Sequence, residues 1–177
     1  DFALTLQLAS LKPPVLQGES GLSQKSPEPR NASFYYSITR LPTQGQILLA
    51  GESLNVEGQS WLDREWSTSA LASDQSGWDW FSLQFNDNTE LMYYQLRDDL
   101  GNAHPNSSGN FTSLMGLQTR ISQEDVLLEE QVHWLASDGT SYVTQWHMQY
   151  AGNDLIIRAV FDDQLMDVTF QYWEGAV

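Results

Sequence analysis

Short segments in which apolar and polar residues alternate run through most of the chain, and they limit the fold more than any other feature. In the segment 2–8, the apolar residues Phe2, Leu4, Leu6 and Leu8 occupy every second position. This period of two is typical of a half-buried β-strand. Further strands are predicted at 33–41, 46–50, 53–56, 59–66, 78–85, 90–97, 109–117, 126–135, 141–150, 154–161 and 168–173.

Turn signals separate these segments at regular intervals. The sequence Asn86-Asp87-Asn88-Thr89 predicts a hairpin loop, and Asp138-Gly139 favours a tight turn between two strands. No helical period lasts for three turns, although a short helix is predicted within 122–130. About ten short strands with this spacing predict an all-β fold, an antiparallel barrel or sandwich.

Charge and composition exclude several classes of function. The 177 residues include 8 basic and 23 acidic ones, which gives a net charge of −15 that repels nucleic-acid phosphates and anionic lipids. The sequence contains no cysteine, which excludes disulfides and thiolate metal sites. No apolar run approaches the ~20 residues of a transmembrane helix. We therefore expect no nucleic-acid partner and no transmembrane segment.

The first part of the chain differs from the rest in composition. Proline and glycine are concentrated in residues 12–31, which are predicted to be the longest loop. We expect residues 1–31 to be the tail of a preceding domain and a linker, and residues 32–177 to be the main domain. Because strand-like sequence reaches both ends, we expect the chain to be part of a longer protein, with a last strand or two beyond Val177.

Two carboxylates on one predicted strand are the first candidates for chemistry. In the segment 61–66, Trp61, Asp63 and Glu65 share one face of the strand. Carboxylates two residues apart on a strand lie within roughly 7 Å of each other. Such proximity moves the two pKa values apart, so that one group can act as a general acid. The structural alternative is a salt bridge to an arginine across the sheet, with the tryptophans in the core.

A second carboxylate lies in the aromatic run 77–81. Trp78 and Trp80 share one face of this predicted strand, and Asp79 shares the other with Phe81. Burial among large apolar side chains raises the pKa of a carboxyl group unless a cation compensates. The alternative is a buried pair between Asp79 and one of the available cations, Arg40, Arg64 or Arg97.

Other polar side chains on long or aromatic stems could line a pocket between the strands. The candidates are Tyr36, Arg40, Gln95 and Arg97, together with the neighbouring tyrosines at 35, 93 and 94. A ligand pocket of this kind is mostly apolar with a few directed hydrogen bonds. Alternatively, these side chains form an aromatic belt between the sheet and solvent, and the sequence does not distinguish the two arrangements.

Established catalytic motifs are missing from the sequence. His104, His133 and His147 are scattered without the spacing of zinc ligands. Neither the nucleophile elbow of the α/β-hydrolases nor a phosphate-binding glycine loop occurs. We expect neither a metal site nor a cofactor.

Three blocks of sequence carry a resemblance to a known family. The residues 35–41, 56–66 and 77–81 resemble signature blocks of the AttH-like and carotenoid 1,2-hydratase (hydroxyneurosporene synthase) family, and 91–92, 95–97 and 172–175 continue the likeness. The resemblance covers nearly the whole chain and corresponds to the C-terminal half of the family's proteins. It implies a lipocalin-like (calycin-like) barrel with a leading strand left from a preceding, missing N-terminal barrel.

The resemblance also implies a class of activity and a location. Members of the family include carotenoid hydratases, isomerases and cyclases, and many are called secreted hydrolases, so we expect a periplasmic or secreted protein. The hydratase branch has histidine where this chain has Arg64. Arginine is a poor proton donor because its pKa exceeds ~12. Asp63 is therefore the expected catalytic acid and Glu65 the second candidate.

Two main functional hypotheses follow. The first is a cofactor-independent enzyme, in which Asp63 protonates a lipophilic unsaturated substrate, and Tyr36, Trp66, Trp78 and Trp80 contribute to binding. The second is a non-catalytic carrier of a hydrophobic small molecule in the same cavity. A third hypothesis is a structural domain whose interior is filled by side chains. Carboxylates that face the cavity unpaired would favour the enzyme, and carboxylates paired with arginines would favour the carrier.

Overall fold

The computed structural model describes residues 2–28, 30–67, 71–168 and 171–177. These residues confirm the all-β class: they form fourteen strands, all paired antiparallel, and one 3₁₀ turn at Gln123–Asp125. The chain divides into two compact units, residues 1–123 and 124–177. The division expected from the sequence lies instead after residue 31.

The first unit contains two sheets. The strands of this unit are β1 (Phe2–Leu8), β2 (Val15–Leu16), β3 (Leu22–Gln24), β4 (Ala32–Leu49), β5 (Glu52–Ser67), β6 (Gln75–Gln84), β7 (Glu90–Asp98), β8 (Ser108–Thr112) and β9 (Gln118–Ser122). In the first sheet, β4 pairs with β1, β2, β3 and β5. The second sheet has the order β6-β7-β8-β9.

The first sheet is built on longer strands than the sequence predicts. The predicted segments 33–41 and 46–50 are one continuous strand, β4, and the segments 53–56 and 59–66 are both part of β5. The β4–β5 register shifts between Ile38 and Leu41. A bulge of this kind absorbs extra residues without ending the strand, which explains why β4 continues through Pro42.

The proline- and glycine-rich segment 12–31 is more than a linker. It contains β2 and β3, which pair with the N-terminal half of β4. Gly18 and Gly21 adopt positive φ angles of 68° and 93° in the turn between these two strands, a conformation that glycine reaches without steric cost. The segment therefore belongs to the first unit and contributes side chains to its interior.

The second sheet follows the sequence more closely. The predicted hairpin of 78–85 and 90–97 corresponds to β6 and β7. The predicted strand 109–117 is wrong, because the chain reverses at 113–117 and forms β8 and β9. In that turn, the amide of Ser113 donates to the Leu117 carbonyl at 2.8 Å and closes the loop, and Gly116 has a φ of 78°.

The interior of the first unit lies between its two sheets and combines apolar and polar groups. Tyr35 from β4 packs with Met92, Tyr94 and Leu96 from β7, and all four are buried. Hydrogen bonds also join the sheets: Ser23 Oγ lies 3.0 Å from the Tyr94 hydroxyl. Because a buried polar group is costly unless it has a partner, these bonds hold the two sheets in one relative position.

A buried ion network provides a second connection between the sheets. Glu90, at the start of β7, is fully buried. One of its carboxylate oxygens lies 2.6 Å from Arg40 Nε, and the other lies 2.7 Å from Lys12 Nζ. Two cations on one buried carboxylate compensate its loss of hydration. The network joins β4, β7 and the segment before β2.

The second unit consists of a three-stranded sheet and a hairpin. Its strands are β10 (Val126–Leu135), β11 (Ser141–Tyr150), β12 (Asn153–Arg158), β13 (Leu165–Asp167) and β14 (Gln171–Trp173). The sheet has the order β10-β11-β12, and β13 pairs with β14. The helix predicted within 122–130 is only the 3₁₀ turn, because the chain from Val126 onward pairs with β11 as strand β10. Part of the predicted strand 168–173 lies outside the described residues.

No closed barrel is present among the described strands. In the first unit, β5 pairs only with β4, and β6 pairs only with β7, so no ladder joins the two sheets at that edge. The antiparallel all-β class is therefore confirmed, and the lipocalin-like closure expected from the sequence is not.

Candidate functional site

The register between β4 and β5 places polar side chains on the inner face of the first sheet. Ser37 lies opposite Asp63, and Tyr35 lies opposite Glu65. Opposite residues of an antiparallel pair point to the same side of the sheet. Tyr35 and Ser37 are buried, so both candidate carboxylates lie on the face that meets the second sheet.

Asp63 is held by neutral hydrogen-bond donors. The Ser37 hydroxyl donates to Asp63 Oδ1 at 2.5 Å, and the Trp61 indole nitrogen donates to the same oxygen at 3.0 Å. No lysine, arginine or histidine pairs with Asp63 in the described part of the chain. Asp63 therefore differs from the other buried carboxylates of this unit.

Burial raises the pKa of Asp63 above its ordinary value of 3.8, and the nearby charge of Glu65 raises it further. Hydrogen bonds from Ser37, Trp61 and Tyr35 act in the opposite direction. Burial likewise raises the pKa of Tyr35, and the charge of Asp63 adds to this effect. The phenol therefore stays protonated and serves as a neutral donor.

Tryptophan side chains border Asp63 on both sheets. Trp78 and Trp80 lie opposite Leu96 and Tyr94 in the β6–β7 register, so they share the face that carries the buried cluster. The Trp80 indole nitrogen donates to the Tyr35 hydroxyl at 3.3 Å. Trp78 and Trp80 remain 44% and 37% exposed. A molecule could therefore approach the acid over aromatic faces.

Glu65 and Lys25 form the polar edge of the same site. The Lys25 ammonium lies 3.2 Å from Glu65 Oε1 and 3.9 Å from the centre of the Tyr94 ring. The Ser33 hydroxyl donates to the same Glu65 oxygen at 2.5 Å. Glu65 is thus already compensated by a cation, whereas Asp63 is not. Of the two candidate catalytic carboxylates, Asp63 has the environment of a proton donor.

Asp79, Gln95 and Arg97 lie on the opposite face of the second sheet. Asp79 forms an ion pair with Arg97 and lies opposite Gln95 in the register. Gly77 makes this pairing possible, because a Cβ at that position would lie 2.5 Å from Arg97 Nη2. These three predicted substrate-binding residues therefore do not lie on the face of the second sheet that meets the first sheet and Asp63.

The remaining predicted site residues also lie elsewhere. Tyr36 and Trp66 are on the outer face of the first sheet, with ring centres 6.1 Å apart. Arg40 is bonded to Glu90. Four of the predicted residues lie on the facing inner sides of the two sheets: Asp63 and Glu65 on the first, and Trp78 and Trp80 on the second.

A concave region lies where the end of β1 meets the middle of β4 and β5. Its volume is about 710 Å³, and it is lined by residues of β1, β4 and β5 and the segments next to them. The lining residues are Gln7, Leu8, Ala9, Pro42, Thr43, Gln44, Glu57 and Gly58. None of the predicted site residues is among them.

Comparison with known proteins assigns the chain to a family. The AttH-like family model matches residues 1–177, the whole chain. The chain belongs to the AttH-like family. This finding agrees with the resemblance of the blocks 35–41, 56–66 and 77–81.

Two solved structures resemble this AttH-like chain. An AttH-like protein of Nitrosomonas europaea is 32% identical with a TM-score of 0.92, and the alignment covers 99% of this chain and 55% of that one. Kievitone hydratase of Nectria haematococca is 15% identical with a TM-score of 0.73, covering 93% and 50%. The chain thus spans about half the length of both. The search of curated proteins found no match.

The histidines of this AttH-like chain have partners other than Asp63 among the described residues. His104 is buried beside Gln75 and Asp74, and His147 belongs to the second unit. Within the described residues, no group of three or more histidine, aspartate or glutamate side chains could hold a metal ion. The same residues include no helix that is long and apolar enough to cross a membrane.

Sequence reasoning missed Lys25 and Ser37 as parts of the site. Lys25 follows β3 in the segment that was expected to be a linker. The only signal for Ser37 is its place on the same strand face as Tyr35, two residues away. Both assignments depend on which strand pairs with β4, and a single sequence does not contain that information.

Proposed function

We propose that this protein is a cofactor-independent, hydratase-like enzyme that acts on a lipophilic, unsaturated substrate. Asp63 is its general acid. The supporting observation is the environment of Asp63, a half-buried carboxyl group with neutral donors and no cationic partner. A carboxyl group of this kind retains its proton to higher pH than an exposed one. Membership of the AttH-like family and the fold shared with kievitone hydratase are consistent with this proposal.

The proposed reaction adds water across a carbon–carbon double bond. Asp63 donates its proton to one alkene carbon, and the other carbon becomes cationic. The faces of Trp78 and Trp80 stabilise this charge by roughly 0.5–2 kcal/mol. Water then forms a bond to the cationic carbon and returns a proton to Asp63. The net change is one added water, and the acid is regenerated.

The pattern of ion pairs favours the enzyme over the alternative carrier. A carrier would need no protonated acid, and all its buried carboxylates could be paired with cations. Asp79 and Glu90 fit that description, with Arg97 for the first and Lys12 and Arg40 for the second. Asp63 does not, because its donors are a serine hydroxyl and an indole.

The surroundings of the site in the whole protein are part of the proposal. The Nitrosomonas relative is nearly twice as long as the matched region. We propose that a preceding barrel completes the protein, that the two sheets of the first unit belong to a lipocalin-like barrel, and that the substrate occupies its cavity. A periplasmic or secreted location fits the family resemblance.

The test is a comparison of lipids bound and altered by the wild type and the Asp63→Asn variant. Each protein is incubated with a lipid extract of its source in heavy-oxygen water, and the bound molecules are identified by mass spectrometry. We expect the wild type to yield a species heavier than its precursor by one labelled water, and the variant to retain the precursor. Loss of a general acid reduces the rate by about 10²–10⁴-fold.

The Asp79→Asn variant is the matched control, because Asp79 lies on the other face of the second sheet. It should still produce the hydrated species, although it loses its ion pair with Arg97. If the wild type and both variants hold the same unaltered lipid, the protein is a carrier. If Asp63→Asn hydrates as fast as the wild type, Asp63 is not the acid.

A further inference from the structure

Lys25 has an unusual environment for a lysine. The residue is 9% exposed, although lysine is rarely buried unless it is paired. Its ammonium contacts Glu65 Oε1 at 3.2 Å and lies over the rings of Tyr94 and Tyr35, 3.9 and 5.6 Å from their centres. Glu65 itself remains 38% exposed in its side chain, so this pair lies at the edge of the site.

The ammonium has more donors than this environment uses. A lysine ammonium carries three N–H donors and no acceptor. Glu65 Oε1 is the oxygen that pairs with it among the described residues, and the two aromatic rings offer only their faces. Aromatic faces attract a cation but accept hydrogen bonds weakly. The ammonium can therefore donate to an oxygen atom of a bound molecule.

Lys25 and Asp63 belong to one site. Tyr35 is a neighbour of both: it bonds to Asp63, and its ring lies near the Lys25 ammonium. Glu65 pairs with Lys25 and is two residues from Asp63 on the same strand face. A molecule that reaches the carboxyl group of Asp63 over Trp80 therefore lies close to the Lys25 ammonium.

The backbone of Lys25 is fixed on both sides. Its amide donates to the Asn31 carbonyl at 2.9 Å. Its carbonyl accepts from the Gln75 side chain at 2.6 Å, and Gln75 is held by the Ala72 amide at 2.9 Å. A binding group is preorganised when the residues that hold it are themselves fixed by hydrogen bonds. The lysine is thus held in place before a ligand arrives.

We propose that Lys25 binds a carbonyl oxygen of the substrate, so that the site accepts an unsaturated lipophile that carries a ketone or ester rather than a pure hydrocarbon. This inference rests on the proposed function and assigns the substrate class. The ammonium donates to the carbonyl oxygen, while the double bond lies beside Asp63. A neutral acceptor suits the site better than an anion, because the Glu65 carboxylate beside Lys25 would repel a negative charge.

The test measures binding without turnover for a matched pair of probes. Geranylacetone is an unsaturated ketone, and in its methylene analogue a C=CH₂ group replaces the C=O. Binding is followed by quenching of tryptophan fluorescence. We expect the wild type to bind the ketone about tenfold more tightly, the value of one hydrogen bond to a charged donor. In Lys25→Met the preference should fall to about one, whereas Lys25→Arg should retain part of it.

Further variants separate the binding role from a structural one. If Lys25 only compensates Glu65, then Glu65→Gln should behave like Lys25→Met; if it binds the carbonyl, Glu65→Gln should keep or increase the preference. The Asp63→Asn variant should also keep the preference for the ketone. Hydration can therefore be lost in this variant while Lys25 still binds the carbonyl oxygen. Near-ultraviolet circular dichroism checks folding. The proposal is overturned if the wild type shows no preference or binds neither probe, or if folded Lys25→Met retains the preference.

Discussion

Asp63 and Glu65 lie two residues apart on one strand, and their surroundings give them different chemical properties. Glu65 has a cation and a hydroxyl as partners. Asp63 has only neutral donors, and burial has the largest effect on its pKa. Adjacent carboxylates with different surroundings can divide the roles of acid and charged partner. The sequence shows the pair, and the partners on other strands decide which member has a cation beside it.

The raised pKa of Asp63 predicts a specific dependence of stability on pH. A carboxyl group whose pKa is higher in the folded state binds more protons when folded, so it reduces stability as the pH rises above its unfolded pKa. The Asp63→Asn variant lacks this penalty. We expect it to gain stability relative to the wild type between pH 4 and pH 7, a range that begins near the ordinary pKa of 3.8.

Urea denaturation of both proteins across this range measures the difference in the free energy of unfolding. The conservative variant Asp79→Asn provides a comparison, because it removes an ion pair with Arg97 and should lose stability at neutral pH. A wild type that becomes more stable than Asp63→Asn as the pH rises would show that Asp63 is ionised without penalty.

At the scale of single elements, the three-stranded sheet of the second unit carries its own titratable group. His147 on β11 lies between two carboxylates, with Nδ1 3.0 Å from Glu129 on β10 and Nε2 2.9 Å from Asp154. Hydrogen bonding to Glu129 and then to Asp154 raises the pKa of His147 above 6.5. The protonated imidazole therefore joins all three strands.

This arrangement predicts that the sheet loses stability as the pH rises through the raised pKa of His147. A histidine whose pKa is raised by folding contributes stability below its unfolded pKa and loses that contribution as the pH rises through the folded value. An NMR titration of the His147 ring should give a pKa above 6.5. Glu129→Gln should lower it, whereas Glu130→Gln, next in sequence but paired opposite Trp146, should not. An unchanged pKa in Glu129→Gln would contradict the assignment.

Strands were easier to predict than their lengths and partners. The alternation of apolar and polar residues in 2–8 predicted β1 with its correct bounds. The prediction was straightforward because this run is short and isolated. By contrast, β4 was predicted as two strands, 33–41 and 46–50. Strand β5 pairs with β4 across this gap, and β1 pairs with residues 43–49. The local pattern of apolar and polar residues does not show which strands pair over this distance in sequence.

At the scale of the whole molecule, the site depends on segments that are distant in sequence. Asp63 comes from β5, Trp80 from β6 and Lys25 from the segment after β3. The sequence identified the first two because each lies in a dense aromatic run. Lys25 lies among prolines and glycines, and nothing near it in sequence distinguishes it from an exposed linker residue. Its contact with Glu65 arises only when β3 pairs with β4.

The sequence predicted one ion pair correctly and placed another arginine wrongly. A buried carboxylate paired with arginine was expected as the alternative for Asp79, and Arg97 does pair with it. Arg40 was expected in the pocket, but Glu90 binds it together with Lys12. Thr39 and Arg40 lie within the bulge between Ile38 and Leu41, and both reach Glu90. Strand alternation alone predicts opposite faces for these neighbours.

The raised pKa of Asp63 is a property of the folded first unit, because burial is its largest cause. This raised pKa is the central claim of the proposed mechanism. Carboxyl-carbon NMR of labelled aspartate, assigned with Asp63→Asn, measures this pKa in the folded protein and again in concentrated urea. We predict a folded pKa clearly above 3.8 that returns to about the ordinary value on unfolding. A folded pKa at or below 3.8 would contradict the account, because Asp63 would then be a charged carboxylate without a proton to donate.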